Sequence, residues 1–138
     1  MKLAQPSWEL ATKILGPLKY DEWITGYLIK SSGEERVEIS SFADAVRLLD
    51  SHKIEDFSHH DLLFPGVKKM LAWIDPQQLM EWVRTVFCDW ELALAIKQVL
   101  LLDGHASYPE QIKSIRELMQ YRLRQAVSLV EAQAKSAC

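Results

Sequence analysis

Residues 92–102, LALAIKQVLLL, form the longest nearly apolar run of the chain, interrupted only by Lys97 and Gln98. This run is well short of the roughly 20 residues that cross a bilayer, so no membrane span is expected. Its apolar residues fall on almost every side of a helix, and a helix that is apolar all round has to be covered all round. The run therefore predicts a helix at the centre of the fold.

The helix that contains this run is predicted to begin upstream, at residue 76. Asp75 is a suitable N-cap, Pro76 suits the first helical position, and Gln78 follows the cap by three residues. Apolar residues then recur at steps of three, four or multiples of these, namely Leu79, Val83, Val86, Trp90, Leu94 and Leu101. This spacing predicts one continuous helix to residue 102, in which Cys88 is packed and its thiol is inert.

Downstream of the run, the sequence predicts a second long helix. Residues 103–104, Asp-Gly, end the first helix, and residues 107–110 have the pattern of a capping box. A seam of apolar residues follows to about Ala134, namely Ile112, Ile115, Met119, Leu123, Ala126 and Val130. Two long antiparallel helices at the C-terminal end are the consequence.

The N-terminal half is predicted to contain both helices and strands. Helices are expected at 8–15, between Ser7 and Gly16, at 41–51, and from about Pro65 through Ile74. Residues 22–40 suit a small β-hairpin, with a helix over 21–30 as the alternative that Gly26 disfavours. The fold class is thus mainly α, a single-domain helical bundle over residues 1–138.

Composition narrows the class of protein. Hydrophobic residues make up 49% of the chain, charged residues 25%, and the net charge is −3, which is typical of a soluble globular protein. Two cysteines are too few for a disulfide framework, so a reducing cytoplasm is expected. Residues 34–61 form an acidic band with eight acids and three bases.

The densest group of reactive side chains lies at residues 56–66, DFSHHDLLFPG. His59 and His60 are adjacent, so on a helix they diverge by about 100° and cannot easily share one metal. A turn explains most of this stretch, and no cofactor is expected. The alternative is a metal-binding or small-ligand enzyme in which His59 or His60 acts with Asp56 or Asp61.

Five tryptophans could line a cavity for a flat ligand, namely Trp8, Trp23, Trp73, Trp82 and Trp90. Aromatic residues at helical spacing are more often part of a core, and we expect that here. A small-molecule partner belongs to the alternative enzyme hypothesis.

A second stripe on the last helix points to association. Leu118, Tyr121 and Leu129 face away from the main seam, so either the N-terminal segments or another subunit must cover them. We therefore expect a protein-interaction or oligomerisation module, including a homodimer, rather than catalysis. Nucleic-acid binding would have to use the arginines of this helix, namely Arg116, Arg122 and Arg124. It is not expected, because basic residues outnumber acidic residues on this helix by only a few.

Overall fold

The computed structural model describes residues 3–30, 33–51, 71–102 and 107–136, and within these ranges the chain forms five α-helices and one three-stranded sheet. In chain order the elements are α1 (Trp8–Leu15), β1 (Ile24–Lys30), β2 (Gly33–Ile39), α2 (Phe42–Ser51), β3 (Leu71–Trp73), α3 (Pro76–Val86), α4 (Trp90–Leu102) and α5 (Tyr108–Ser136). The predicted fold class, mainly α with a small β element, is confirmed. None of the helices in these ranges has the length and apolarity needed to cross a membrane.

Helix starts follow the capping signals in the sequence. The Ser7 Oγ accepts a hydrogen bond from the Leu10 amide at 3.1 Å, and the Ser41 Oγ accepts one from the Asp44 amide at 3.1 Å. The carboxylate of Asp75 caps α3 by accepting from the Gln77 amide at 2.9 Å. Each of these side chains satisfies an amide that has no partner within its helix, which fixes where the helix begins.

Helix α5 is the element against which three of the other helices pack. It packs against α1, α2 and α4. Its predicted seam is confirmed: Ile112, Ile115, Met119 and Ala126 are fully buried, and Leu123 and Val130 are half-buried against the core. Helices α4 and α5 are antiparallel, since the start of α4 contacts Arg122 whereas its end lies beside Ser114.

The sheet confirms the predicted hairpin and adds a strand to it. Strand β1 is central and pairs antiparallel with both β2 and β3. A Cβ on Gly26 would lie only 3.2 Å from the Ile74 side chain and from the Trp73 carbonyl, so glycine is what allows this close approach. The helix predicted through Ile74 is wrong over Leu71–Trp73, because these residues pair with β1; residues 65–70 lie outside the described ranges.

Tyr108 fastens β3 to the first turn of α5. Its hydroxyl donates to the Ala72 carbonyl at 2.9 Å and accepts from the Ile74 amide at 3.0 Å, and its ring lies 4.2 Å from that of Trp73 between centroids. Burial raises the pKa of the Tyr108 hydroxyl well above its ordinary value. The neutral hydroxyl therefore serves as a fixed donor and acceptor.

The continuous helix predicted from Pro76 to residue 102 is wrong, because the chain breaks between Val86 and Trp90. Phe87 turns into an aromatic cluster, with its ring 5.3 Å from that of Phe42 and 5.0 Å from that of Trp82, edge to face in both cases. Cys88 adopts a left-handed conformation, with φ of 54°. Such a conformation costs about 1 kcal/mol for a residue other than glycine, and the contacts on either side offset it.

Candidate functional site: the outer face of helices α4 and α5

Helix α4 is covered on one side only by the described residues. Ala93, Ala95 and Ile96 are buried, as the sequence predicted for the whole run. The opposite side is open and carries Lys97 among four large apolar side chains, whose exposed fractions are 63% for Trp90, 55% for Leu94, 71% for Leu101 and 83% for Leu102. The prediction that residues 92–102 lie at the centre of the fold is therefore wrong for half of the helix.

A groove of about 480 Å³ runs between α4 and α5 beside this open side. Ala95, Gln98, Val99 and Leu102 line it from α4, whereas Glu117, Tyr121 and Arg124 belong to its α5 wall. Leu94 and Leu101 lie four residues before and three residues after Gln98, so they occupy the same side of α4. The apolar residues of α4 thus border the groove.

We use the name outer face for the surface that combines the open side of α4 with the α5 wall of the groove. It consists of Trp90, Leu94, Leu101 and Leu102 of α4 together with Glu117, Tyr121 and Arg124 of α5. Isolated exposed apolar residues are common on protein surfaces, whereas a contiguous patch beside a groove is typical of an interaction site.

The three residues predicted as an interaction surface lie along this side of α5. Leu118 and Tyr121 line the groove between α4 and α5, and Tyr121 and Leu129 line a second groove of about 390 Å³ that Gln5 borders. All three side chains are half-buried against the core. The N-terminal arm, residues 3–7, therefore borders part of this stripe through Gln5, and the part beside Tyr121 remains open.

Charged residues flank Tyr121, with Glu117 four residues before it and Arg124 three residues after it. Glu117 and Arg124 are seven residues apart, which is about two helical turns, and both are exposed and line the groove. Within the described part of the chain neither of them forms an ion pair. These two opposite charges on one face of α5 are therefore both available to form ion pairs with another molecule.

A buried ion pair holds the start of α4 against α5. The Arg122 guanidinium donates to the Asp89 carboxylate at 2.8 Å from Nε and at 3.1 Å from Nη2, and both residues are 2% exposed. Arg122 also donates to the Ala4 carbonyl at 2.7 Å and to Glu91 at 3.2 Å, which ties the N-terminal arm to the same point. This network fixes the relative position of the two walls of the outer face.

Sequence reasoning missed this network, although a signal was present. Asp89 directly precedes Trp90 and Glu91, which is the pattern of an N-cap followed by an acid in the first turn. The Asp89 carboxylate does accept from the Leu92 amide at 3.1 Å. Of the arginines considered for nucleic-acid binding, Arg116 and Arg122 are buried and only Arg124 is exposed.

Other candidate residues are not brought together. The residues of the possible metal site, His59, His60, Asp56 and Asp61, lie outside the described ranges, so that hypothesis stays a prediction. Within those ranges no group of three or more potential ligands could hold a metal ion. Cys88 was expected to be packed, but it is exposed in the bend between α3 and α4.

The tryptophans also differ from expectation. Trp82 is buried and its Nε1 donates to the Glu22 carbonyl at 2.8 Å, whereas Trp8, Trp23 and Trp90 are exposed. No tryptophan lines either of the two grooves described above. One exposed ring has a charged neighbour, because the Arg84 guanidinium lies 5.5 Å from the centroid of Trp90.

Searches with this chain found no matching family model, no matching curated protein and no matching solved structure.

Proposed function

We propose that this chain is a cytoplasmic protein-interaction module that binds another polypeptide through its outer face. The observation that carries the proposal is the open apolar side of α4, where Trp90, Leu94, Leu101 and Leu102 are each more than half exposed. Burying such side chains is favourable by roughly 1.5–3 kcal/mol each. Covering this side of α4 with a second protein surface would therefore lower the free energy by removing these side chains from water.

The partner is a polypeptide with an apolar helical surface of its own. The outer face supplies large apolar side chains around a groove with a few polar groups, which is the usual composition of a helix-binding surface. Tyr121 at its centre has the character of an interface anchor, with an apolar ring and a hydroxyl that can reach a partner. Cytoplasmic location is supported by the exposed, unpaired thiol of Cys88.

Site-specific photocrosslinking tests the proposal. A photoreactive amino acid at Leu101, in the outer face, should crosslink the chain to one defined polypeptide in its native cells. The same amino acid at Tyr20, which is also exposed but lies before β1, is the matched control and should not yield that product. The purified polypeptide should then bind the purified chain, and Tyr121→Glu should abolish the binding.

Two results would contradict the proposal. One is equal crosslinking from Leu101 and Tyr20. The other is binding of the purified polypeptide that Tyr121→Glu leaves unchanged in a variant that is folded by circular dichroism. Either result would mean that the outer face does not select a partner.

A further inference from the structure

We infer that the partner of the outer face is a second copy of this chain, docked antiparallel about a twofold axis that passes beside Tyr121. The inference rests on the proposed function and specifies its partner. It depends on three features of the outer face, namely its charges, its apolar residues and the relative level of its two helices.

The charges of α5 are self-complementary. In an antiparallel pair of α5 helices centred between Gln120 and Tyr121, Glu117 faces the partner's Arg124, and Arg124 faces the partner's Glu117. A twofold interface makes every contact twice, so both charged groups in each copy gain an opposite charge. In the isolated chain these two side chains are exposed and have no ion-pair partner among the described residues.

The apolar residues of α4 are self-complementary about the same axis. An antiparallel pair of α4 helices centred between Ala95 and Ile96 places Trp90 against the partner's Leu101. It also places Leu94 against the partner's Lys97, whose aliphatic stem can cover the leucine while its ammonium group reaches water. Trp90, Leu94 and Leu101 of each α4 are thereby covered by the α4 helix of the other copy.

The two centres lie at the same level of the molecule. Ala95 of α4 and Tyr121 of α5 line the same groove, and Glu91 contacts Arg122 close to that level. One twofold axis, perpendicular to the helices and in the plane of contact, can therefore pass both centres. It stacks α4 on the partner's α4 and α5 on the partner's α5, so that two layers of two helices face each other. The groove between α4 and α5 of each copy is then closed by the other copy.

Like charges meet only at the ends of this arrangement. The same alignment brings Glu110 opposite the partner's Glu131, and these residues lie about 16 Å from the axis. Packed helices cross at an angle, so their axes have diverged at that distance and the two carboxylates remain in solvent. The favourable pairs lie near the axis, where the helices are closest.

Charge reversal tests the register. We expect sedimentation equilibrium of the purified full chain to show a dimer. Glu117→Arg alone, or Arg124→Glu alone, should weaken dimerisation by about tenfold or more, because both reciprocal contacts become repulsive. The double variant E117R/R124E should return to within about threefold of the original affinity, because opposite charges again face each other.

Cysteine pairing gives a second, geometric test. With Cys88 and Cys138 both replaced by serine, a mixture of Glu117→Cys and Arg124→Cys chains should form a disulfide-linked dimer under mild oxidation. Neither variant alone should do so, because like positions in the two copies are about 10 Å apart. Circular dichroism and urea midpoints close to those of the original chain would establish that these exposed replacements leave the fold intact.

The outcomes separate this inference from the proposed function. A monomer at every concentration, a double charge variant as weak as the single ones, or no disulfide from the cysteine mixture would overturn the inference. If photocrosslinking at Leu101 then joins a different polypeptide, the proposed function stands with another partner. If Leu101 crosslinks no more than Tyr20, both fail.

Discussion

Replacement of Asp89 by alanine should test how the two helices of the outer face are held together. The Asp89 carboxylate accepts two hydrogen bonds from the Arg122 guanidinium and a third from the Leu92 amide. Because Asp89 and Arg122 are each only 2% exposed, water can replace none of these bonds easily. The variant removes the charge partner of a buried cation and the N-cap of α4 in one step.

The expected loss of stability follows from these contacts. Removing one member of a buried ion pair typically costs 3–5 kcal/mol, and loss of an N-cap about 1 kcal/mol. Arg122 keeps its bond to Glu91, whose side chain is 45% exposed, and its bond to the Ala4 carbonyl. These remaining acceptors relieve part of the cost, so we expect about 3–4 kcal/mol, a large fraction of the 5–15 kcal/mol that a typical domain has.

Urea unfolding followed by circular dichroism measures this loss. Glu81→Ala is the control, because Glu81 pairs with Arg84 at the surface and its loss should cost below about 1 kcal/mol. Asp89→Asn keeps an acceptor for the Leu92 amide, so its loss of stability should fall between those of Asp89→Ala and Glu81→Ala. A double variant, Asp89→Ala with Arg122→Leu, should cost less than the sum of its single changes. A loss of only about 1 kcal/mol for Asp89→Ala would show that the ion pair contributes nothing beyond the cap.

Three further changes probe the sheet and the surface. Gly26→Ala should destabilise the fold by about 1–3 kcal/mol in urea, because its Cβ would crowd the Ile74 side chain; an unchanged midpoint would refute the close packing. Tyr108→Phe should cost about 1–3 kcal/mol and speed amide exchange of Ile74, since it removes both hydroxyl bonds, and equal exchange rates would refute this role. The hydrogen bond from Lys13 lowers the pKa of Glu22, so the stability that this pair contributes should be complete above the ordinary pKa of a glutamate and lost as the pH falls through the lowered pKa of Glu22; Lys13→Gln should flatten the pH dependence of the urea midpoint.

Local signals in the sequence predicted much of this fold correctly. Helices α1, α2, α3 and α5 begin where a capping residue or a helix-initiating proline precedes them. The hairpin followed from β-branched residues around a turn, and the seam of α5 followed from helical spacing. These features depend on neighbours within a few residues, which is the range over which a sequence pattern carries information.

The errors arose where distant contacts override local preference. Helical spacing continues through Phe87–Asp89, but the chain breaks there because Phe87 joins Phe42 and Asp89 joins Arg122. Leu71–Trp73 form a strand because β1 is available to pair with them. Leu118, Tyr121 and Leu129 line grooves, and their role as an interaction surface stays a prediction. The open side of α4 could not be foreseen, because the sequence of this run predicts complete burial.

The contacts of Arg122 also have a consequence for the order of folding. This residue binds the carbonyl of Ala4, 118 positions earlier in the chain, and α1 packs against the same helix. Contacts over such long sequence separations are slow to form, because the entropy of closing the loop is lost before the contact is gained. During synthesis the segment around Ala4 has no docking site until Arg122 has left the ribosome, so we expect this contact to form only after residues 4–122 have all been made.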